Sequence, residues 1–250
     1  MPGKSTQRLD EVLVARGLFA SRSRASDAVK RGTVRVGDAV ATKAGQLIEP
    51  DAALSIDDPA QNYVSRAALK LIAGLDHFGI EVSGKNVLDL GASTGGFTQV
   101  VLERGAVSVF AVDVGHGQLH PSIADDPRVT SLENKNARDL QAEDFGGAPI
   151  ELIVCDVSFI SLTLALPRAL DLTAPGAKGV FLVKPQFEAG RDAIGKGGLL
   201  KDAEEGPRTT ERLRAWLDSQ PAWKALGLTP SPIEGGDGNK EWLLGAEKHL

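Results

Sequence analysis

VLDLGASTGGFTQVV, residues 87–101, decides how the rest of the chain is read. An apolar run ends in Asp89. A turn follows with glycines at 91, 95 and 96, and Phe97 then opens a helical pattern. A buried strand that passes through a glycine turn into a helix is the entry to a parallel α/β unit, and such units hold ligands beyond the carboxyl ends of their strands.

Outward from that turn the pattern alternates. SVFAVD, VTSLEN, ELIVCD and GVFLVK read as further strands, with helical segments in GGFTQVVLERG, LTLALPRALDL and EEGPRTTERLRAWLDSQ. SPIEGG and KEWLLGAEK read as a late antiparallel pair. Near-continuous apolar strands alternating with helices imply an α/β fold with an open, mostly parallel sheet covered on both faces. Ahead of the first strand, SRAALKLIAGLDHFGI reads as a helix with Ala68, Leu71, Ile72, Leu75 and Phe78 inward. The region 1–58 reads differently: two short helices (RLDEVLVARG and SRSRASDAVKRG) and short strands in TVRVGDAV, QLIEP and ALSID form a small α+β domain. The polar stretch 59–64 is the expected linker, and 65–250 the second domain.

Composition narrows the function classes. The chain has 250 residues, no run of eighteen apolar ones and no apolar leader in MPGKSTQRLDEV, so neither a membrane span nor a signal peptide is expected. Cys155 is the single cysteine, which rules out an internal disulfide and suits a reducing cytoplasm. Net charge is −5, yet up to residue 45 nine Lys/Arg face four Asp/Glu. A basic module on an acidic chain points to a local contact with a polyanion. Arg8, Arg22, Arg24, Lys30, Arg31 and Arg35 are its candidate contacts with nucleic acid or another anion, with Arg66 just beyond the linker. Without aromatics for stacking, a nucleic-acid partner would be met through its folded shape and phosphates rather than as a single-stranded sequence.

The glycine spacing bears on the ligand. A dinucleotide fingerprint is Gly-x-Gly-x-x-Gly; here the spacing is Gly-x-x-x-Gly-Gly, Ser93 stands at the second glycine position, and no Walker lysine follows. The turn suits a group less charged than a pyrophosphate, such as the amino-carboxylate end of S-adenosylmethionine, whose carboxylate would meet helix-terminal N–H groups. Asp89, Gly91, Ser93, Gly95, Gly96 and Phe97 are the candidate cofactor residues at the turn. Asp113, ending the next strand about twenty residues on, would accept two ribose hydroxyls. Asn136, after the third strand, would meet the adenine amino group.

Two polar residues end apolar strands: Asp156 in IVCDVSF and Lys184 in FLVKPQFE. Desolvation at such a place disfavours an ammonium, and a second cation adds to that effect. Lys70 on the helix is that second cation, Asp156 holds the lysines, and Glu241 in NKEWLL completes the set. A neutral lysine there would take the proton from a weakly acidic hydroxyl as it attacks a methyl sulfonium. Such chemistry needs alignment and no metal. His116 and His120 have a metal-compatible spacing but no third ligand, and Cys155 reads as packing. EAGRDAIGKGGLLKD is either a lid over the cleft, with Arg191 and Lys196 touching RNA, or a plain surface loop.

SRAALKL, VLDLGASTGGFT, CDVSFISL, LVKPQFEAGR and NKEWLL resemble the TlyA-type proteins, described both as haemolysins and as ribosomal RNA 2′-O-methyltransferases. The second domain is also similar to the FtsJ/RrmJ methyltransferases, and the first resembles the S4 RNA-binding domain. The resemblance implies a Rossmann-like class I methyltransferase with a seven-stranded sheet behind an S4-like domain. It also implies a Lys-Asp-Lys-Glu tetrad at Lys70, Asp156, Lys184 and Glu241, S-adenosylmethionine as cofactor, and cytidine 2′-O-methylation of ribosomal RNA or ribosomal subunits. Gln99 departs from the family pattern, where an acid often follows the turn, as do His116 and His120. Competing readings are a nucleotide-dependent dehydrogenase, which the glycine spacing opposes, an RNA-binding protein with an inactive enzyme domain, and a membrane-damaging protein, for which no apolar span or strongly amphipathic basic helix is visible.

Overall fold

A computed structural model describes residues 5–249. Residues 1–4 and 250, the outer ends of the two expected domains, lie outside the described residues. The chain divides into two compact units between Asn62 and Tyr63.

In the first unit β1 (Gln7–Arg8) leads into α1 (Leu9–Ala15), and α2 (Arg22–Lys30) follows. Ser21 caps α2, its side chain accepting from the Arg24 N–H. β2 (Val34–Val36) is the centre of a three-stranded antiparallel sheet with β3 (Ala39–Val40) and β5 (Leu54–Ile56), while β4 (Leu47–Ile48) pairs with β1. Leu9, Val12, Leu13, Ala25, Ala28, Val29 and Val34 form its core. The segment 59–64 is turn and bend. Ala60 is nevertheless buried, its N–H held by Asp58 and its carbonyl by Arg24.

The second unit begins with α3 (Ala68–Phe78), which ends at Gly79 in the left-handed conformation. Then come β6 (Asn86–Leu90), α4 (Gly96–Glu103), β7 (Ser108–Val112), α5 (Pro121–Ala124), β8 (Val129–Leu132), β9 (Ile150–Cys155), α6 (Leu162–Ala165), α7 (Pro167–Asp171), β10 (Thr173–Val183), α8 (Pro185–Glu188), α9 (Glu205–Asp218), β11 (Trp223–Pro230) and β12 (Trp242–Lys248). Among the described residues these strands make one seven-stranded sheet in the order β11-β12-β10-β9-β6-β7-β8. All neighbours are parallel except β12, which runs against β10 and β11. The order reverses between β6 and β9, the place where such sheets open a crevice.

Side-chain alternation divides the core into two layers. Val87, Leu152, Val154, Val180, Leu182 and Leu243 face α3 and α4; Leu88, Ile153, Cys155, Phe181, Val183 and Leu244 face α6, α7 and α9. Close approach shapes this packing: a Cβ on Gly74 of α3 would lie 2.7 Å from Val180.

Two expectations need correction. The penultimate strand is Trp223–Pro230, whereas Ser231–Gly236 is the turn after it. The glycines and prolines of SPIEGGDG serve that turn, and β11 escapes recognition because Lys224 and Gly227 interrupt its apolar pattern. The LTLALPRALDL helix is two short helices, because Pro167 has no N–H to continue α6.

Candidate active site

Neighbouring strands deliver their terminal residues to one edge of the sheet. Phe181 pairs with Cys155 and Val183 with Trp242, so Asp156, Lys184 and Glu241 leave three adjacent strands side by side. All three share the parity of Val154, Leu182 and Leu243, the face that α3 covers, and α3 supplies Lys70. Lys184 Nζ lies 2.6 Å from Asp156 Oδ1, and Lys70 Nζ lies 2.5 Å from Glu241 Oε2. Lys70, Lys184 and Glu241 are buried. The structure thus sorts the four residues into two ion pairs, each lysine with its own carboxylate. Ser158 Oγ also accepts from Lys184 Nζ, at 2.7 Å.

The glycine turn lies beside these pairs. Gly91 has φ +79°, and a Cβ there would come within 2.8 Å of the Asp156 carbonyl oxygen, so only glycine lets β6 and β9 end this close together. Gly95, at φ +94°, begins α4 against Leu119 and Ile123. Ser93 also has positive φ, and its N–H donates to Asp113 Oδ2 at 2.9 Å. Asp113 Oδ1 accepts from the Gly115 N–H at 2.7 Å. A carboxylate has about four lone-pair sites, so two remain after these backbone bonds. The carboxylate is fixed in place and still able to accept two hydroxyls.

A cleft of about 560 Å³ is lined by Gly91, Ser93, Asp113, Gln118, Asn136 and Asp156, among others. A smaller cavity of about 140 Å³ shares Gly91, Ser93, Asp156 and Ser158 with it and adds Gly96, Phe97 and Lys184. The two cavities therefore join the glycine turn to the lysine.

Asp89 and Asn136 differ from their sequence-based roles. Asp89 is fully buried and lines neither cavity. Its Oδ2 accepts from Thr98 Oγ1 at 2.6 Å, and Oδ1 has no hydrogen-bond partner among the described residues. Burial pushes its carboxyl up to about 7, against the Thr98 bond. Asn136 lines the cleft, but its Oδ1 already accepts the backbone N–H and the Nε–H of Arg138. The oxygen meant for an adenine amino group is thus occupied.

The basic residues of the first unit are also partly committed. Arg8 and Arg22 both bind the buried Asp10, at 3.0 and 3.1 Å. Arg31 is largely buried, bonding Asp58 through two nitrogens and Asp27 through a third. It holds the fold together and is withdrawn from the surface. Arg24 donates to the Ala60 carbonyl, and Arg35 to the Asp38 carbonyl. Lys30 and Arg35 are exposed. In the second unit Arg66 lies near Gly236.

Ser158, Gln118 and Glu188 were missed from sequence. Ser158 follows Asp156 by two residues, a spacing that returns to the same side of an extended chain, and that was its only signal. Gln118 Oε1 accepts from Ser93 Oγ at 3.3 Å. Glu188 accepts from Ser161 Oγ and the Leu162 N–H, and burial raises its carboxyl. The 190–201 segment forms two short 3-10 turns and is tied to Asn239, which receives the Leu200 N–H and donates to the Gly198 carbonyl. Cys155 is fully buried, its thiol pushed up to about 12 by burial, in keeping with packing. His116 pairs with Glu133 and His120 with Ser122, so the two rings engage different partners.

An open sheet with a strand-end Lys-Asp pair beside a glycine cleft, behind a small α+β unit, defines a class. A family model described as FtsJ-like methyltransferase matches residues 63–248, and one described as S4 domain matches residues 7–54. Within that class the chain belongs to the TlyA family. It is 42% identical over 238 residues, 95% of this chain and 88% of the relative, to a Mycobacterium tuberculosis protein named 16S/23S rRNA (cytidine-2'-O)-methyltransferase TlyA. It is 40% identical over 240 residues to Hemolysin A of Brachyspira hyodysenteriae, covering 94% of this chain and 98% of that one. A structure solved under the name hemolysin from Streptococcus thermophilus superposes with a TM-score of 0.75 at 38% identity, covering 99% of this chain and 90% of that one. No helix among the described residues is long and apolar enough to cross a membrane.

Proposed function

We propose that the protein methylates a ribose 2′-hydroxyl, that of a cytidine in ribosomal RNA, using S-adenosylmethionine in the cytoplasm. The observation that carries this reading is the Lys184–Asp156 pair, its lysine buried and its carboxylate partly so, opening onto the glycine-turn cleft, with the Lys70–Glu241 pair beside it. The residues fit the cofactor on structural grounds. The cleft has room for a nucleoside, Asp113 lines it and keeps two acceptor sites, and Gly91 and Ser93 of the turn line it as well. Asp113 would hold the ribose hydroxyls, and the N–H groups at the start of α4 the carboxylate. When bound, S-adenosylmethionine supplies an electrophilic methyl group and a neutral thioether leaving group.

The chain's own task is to orient the hydroxyl and accept its proton. Lys184, once neutral, takes that proton on Nζ, and Asp156 then stabilises the resulting ammonium through the ion pair already present. Lys70 and Glu241 neutralise one another, so the wall beside Lys184 carries no net charge into the site. No metal has a part in this scheme. Exposed Lys30 and Arg35 on the first unit would meet RNA phosphates, with ribosomal RNA or a ribosomal subunit as the partner.

The test treats ribosomal RNA and isolated unmodified subunits with labelled S-adenosylmethionine and maps 2′-O-methyl positions by blocked alkaline cleavage. One or a few protected cytidines are expected. Lys184→Ala is expected to lower transfer by about 10²-fold or more. A Lys184→Ala variant with full activity would overturn the base assignment, and label confined to a base would overturn the 2′-hydroxyl reading.

A further inference from the structure

Two oxygens hold Lys184 Nζ, Asp156 Oδ1 at 2.6 Å and Ser158 Oγ at 2.7 Å. Both come from the loop that leaves β9, two residues apart. Ser158 lines both cavities, so its hydroxyl stands where the larger cleft meets the lysine. The same loop is fastened further along: Ser161 Oγ and the Leu162 N–H donate to Glu188, at 2.5 and 2.8 Å. Glu188 lies on α8, four residues after Lys184. The loop after β9 and the segment after β10 are therefore tied at two points, one on each side of Phe159.

An ammonium has three N–H donors; a neutral amine keeps two and gains a lone pair. Ser158 Oγ accepts a hydrogen bond from Nζ, whereas Asp156 Oδ1 makes an ion contact without one. The Ser158 bond fixes one N–H of a neutral Lys184 and the Asp156 charge repels the lone pair from its own side, so the lone pair takes the remaining direction. With Asp156 alone the amine could rotate about Cε–Nζ and turn that lone pair away. We propose that Ser158 is a positioning residue that fixes the Lys184 lone pair toward the substrate hydroxyl. The inference rests on the reading of Lys184 as the base.

The bond has a second effect, which makes the idea testable. A hydroxyl binds an ammonium more strongly than a neutral amine, so Ser158 also helps Lys184 keep its proton. Losing Ser158 therefore moves deprotonation of Lys184 to lower pH while leaving the amine unaimed. The other titratable or charged groups around the site are Asp156 and Cys155 from β9, Asp89 from β6, Glu188 from α8, and the paired Lys70 and Glu241 from α3 and β12. Substitution of Ser158 alters none of these, so the difference between wild type and variant isolates its contribution.

Ser158→Ala and Ser158→Thr are compared with wild type in two measurements. The first is an NMR titration of the Lys184 side chain in the cofactor-free protein. The Ser158→Ala midpoint is expected to fall by about half a pH unit, with Ser158→Thr matching wild type. The second is methyl transfer to unmodified ribosomal subunits as a function of pH. In Ser158→Ala the plateau kcat is expected to fall about tenfold. KM for S-adenosylmethionine should hold, and the rising limb should move to lower pH with the NMR midpoint. Ser158→Thr should restore both. Superimposable titrations, or equal losses in the two variants, would overturn the inference while leaving the base assignment intact. Wild-type protein without transfer, or full activity in Lys184→Ala, would overturn that assignment and this inference with it.

Discussion

Asp89 is fully buried at the end of β6, with Thr98 on one oxygen and no partner on the other among the described residues. Burial raises its carboxyl from the ordinary 3.8 to about 7. Between those values the folded protein keeps a proton that the unfolded chain has released, so the contribution of Asp89 to stability falls as pH rises from about 4 to about 7. Integrated, the loss is on the order of 4 kcal/mol. Asp89→Asn is expected to remove it, so urea denaturation at pH 5 and pH 8 should differ less in the variant than in wild type; an unchanged difference would show that Asp89 is ionised throughout. Gly91→Ala meets a different obstacle, with positive φ and the Asp156 carbonyl in the way. A loss of about 1–3 kcal/mol in stability is expected, together with weakened S-adenosylmethionine binding by calorimetry. At this scale the sequence was informative where chemistry is local. The glycine spacing, Asp113 and the strand-end polar residues could be read because an apolar run leads into each. Ser158 and Glu188 could not, since their partners lie 26 or 27 residues away and the only local mark, the two-residue spacing of Ser158 from Asp156, is weak.

At the scale of elements, the site is made by register. Once β9, β10 and β12 align, parity alone sends Asp156, Lys184 and Glu241 to the face that α3 covers. The alternation of strands and helices could be read from apolar periodicity, whereas strand order, which creates the tetrad, is a long-range property that no window of sequence contains. β11 was misplaced because its pattern is interrupted and its turn looks more strand-like than it is. In the first unit Arg31, at the end of α2, was counted as a surface charge. Its acceptor Asp58 lies 27 residues away, after β5. Burial works against the Asp58 carboxylate, but the hydrogen bonds of Arg31 and Ala60 hold it below the usual range. A lowered acid stabilises the fold above its unfolded value and loses that contribution as pH falls through the folded one, so the first unit is expected to weaken in acid below about pH 4. Asp58→Asn, which leaves Arg31 without its main partner, should cost about 3 kcal/mol and flatten that acid response in thermal melts. A variant that melts like wild type would remove the pair from the account of stability.

At the scale of the whole molecule, an acidic chain carries a first unit whose basic residues are concentrated before residue 45; over residues 1–62 nine Lys/Arg face eight Asp/Glu. Asp10, Asp27 and Asp58 take up Arg8, Arg22 and Arg31 in ion pairs. RNA affinity is expected to fall with salt, and Lys30→Ala to reduce the log–log slope by about 1. Arg31→Ala should instead lower the melting temperature of the first unit with little change in slope. If the two variants behaved alike, the division into surface and structural arginines would be wrong. The late place of β12 in the chain bears on how the fold is completed. Lys70 finds its counter-charge 171 residues later in the chain. A nascent polypeptide emerging from the ribosome has made the glycine turn, Asp113, Asp156 and Lys184 well before Glu241 is synthesised. Until then, burial of the Lys70 ammonium would be uncompensated, so this edge of the sheet is expected to close only once β12 has been made.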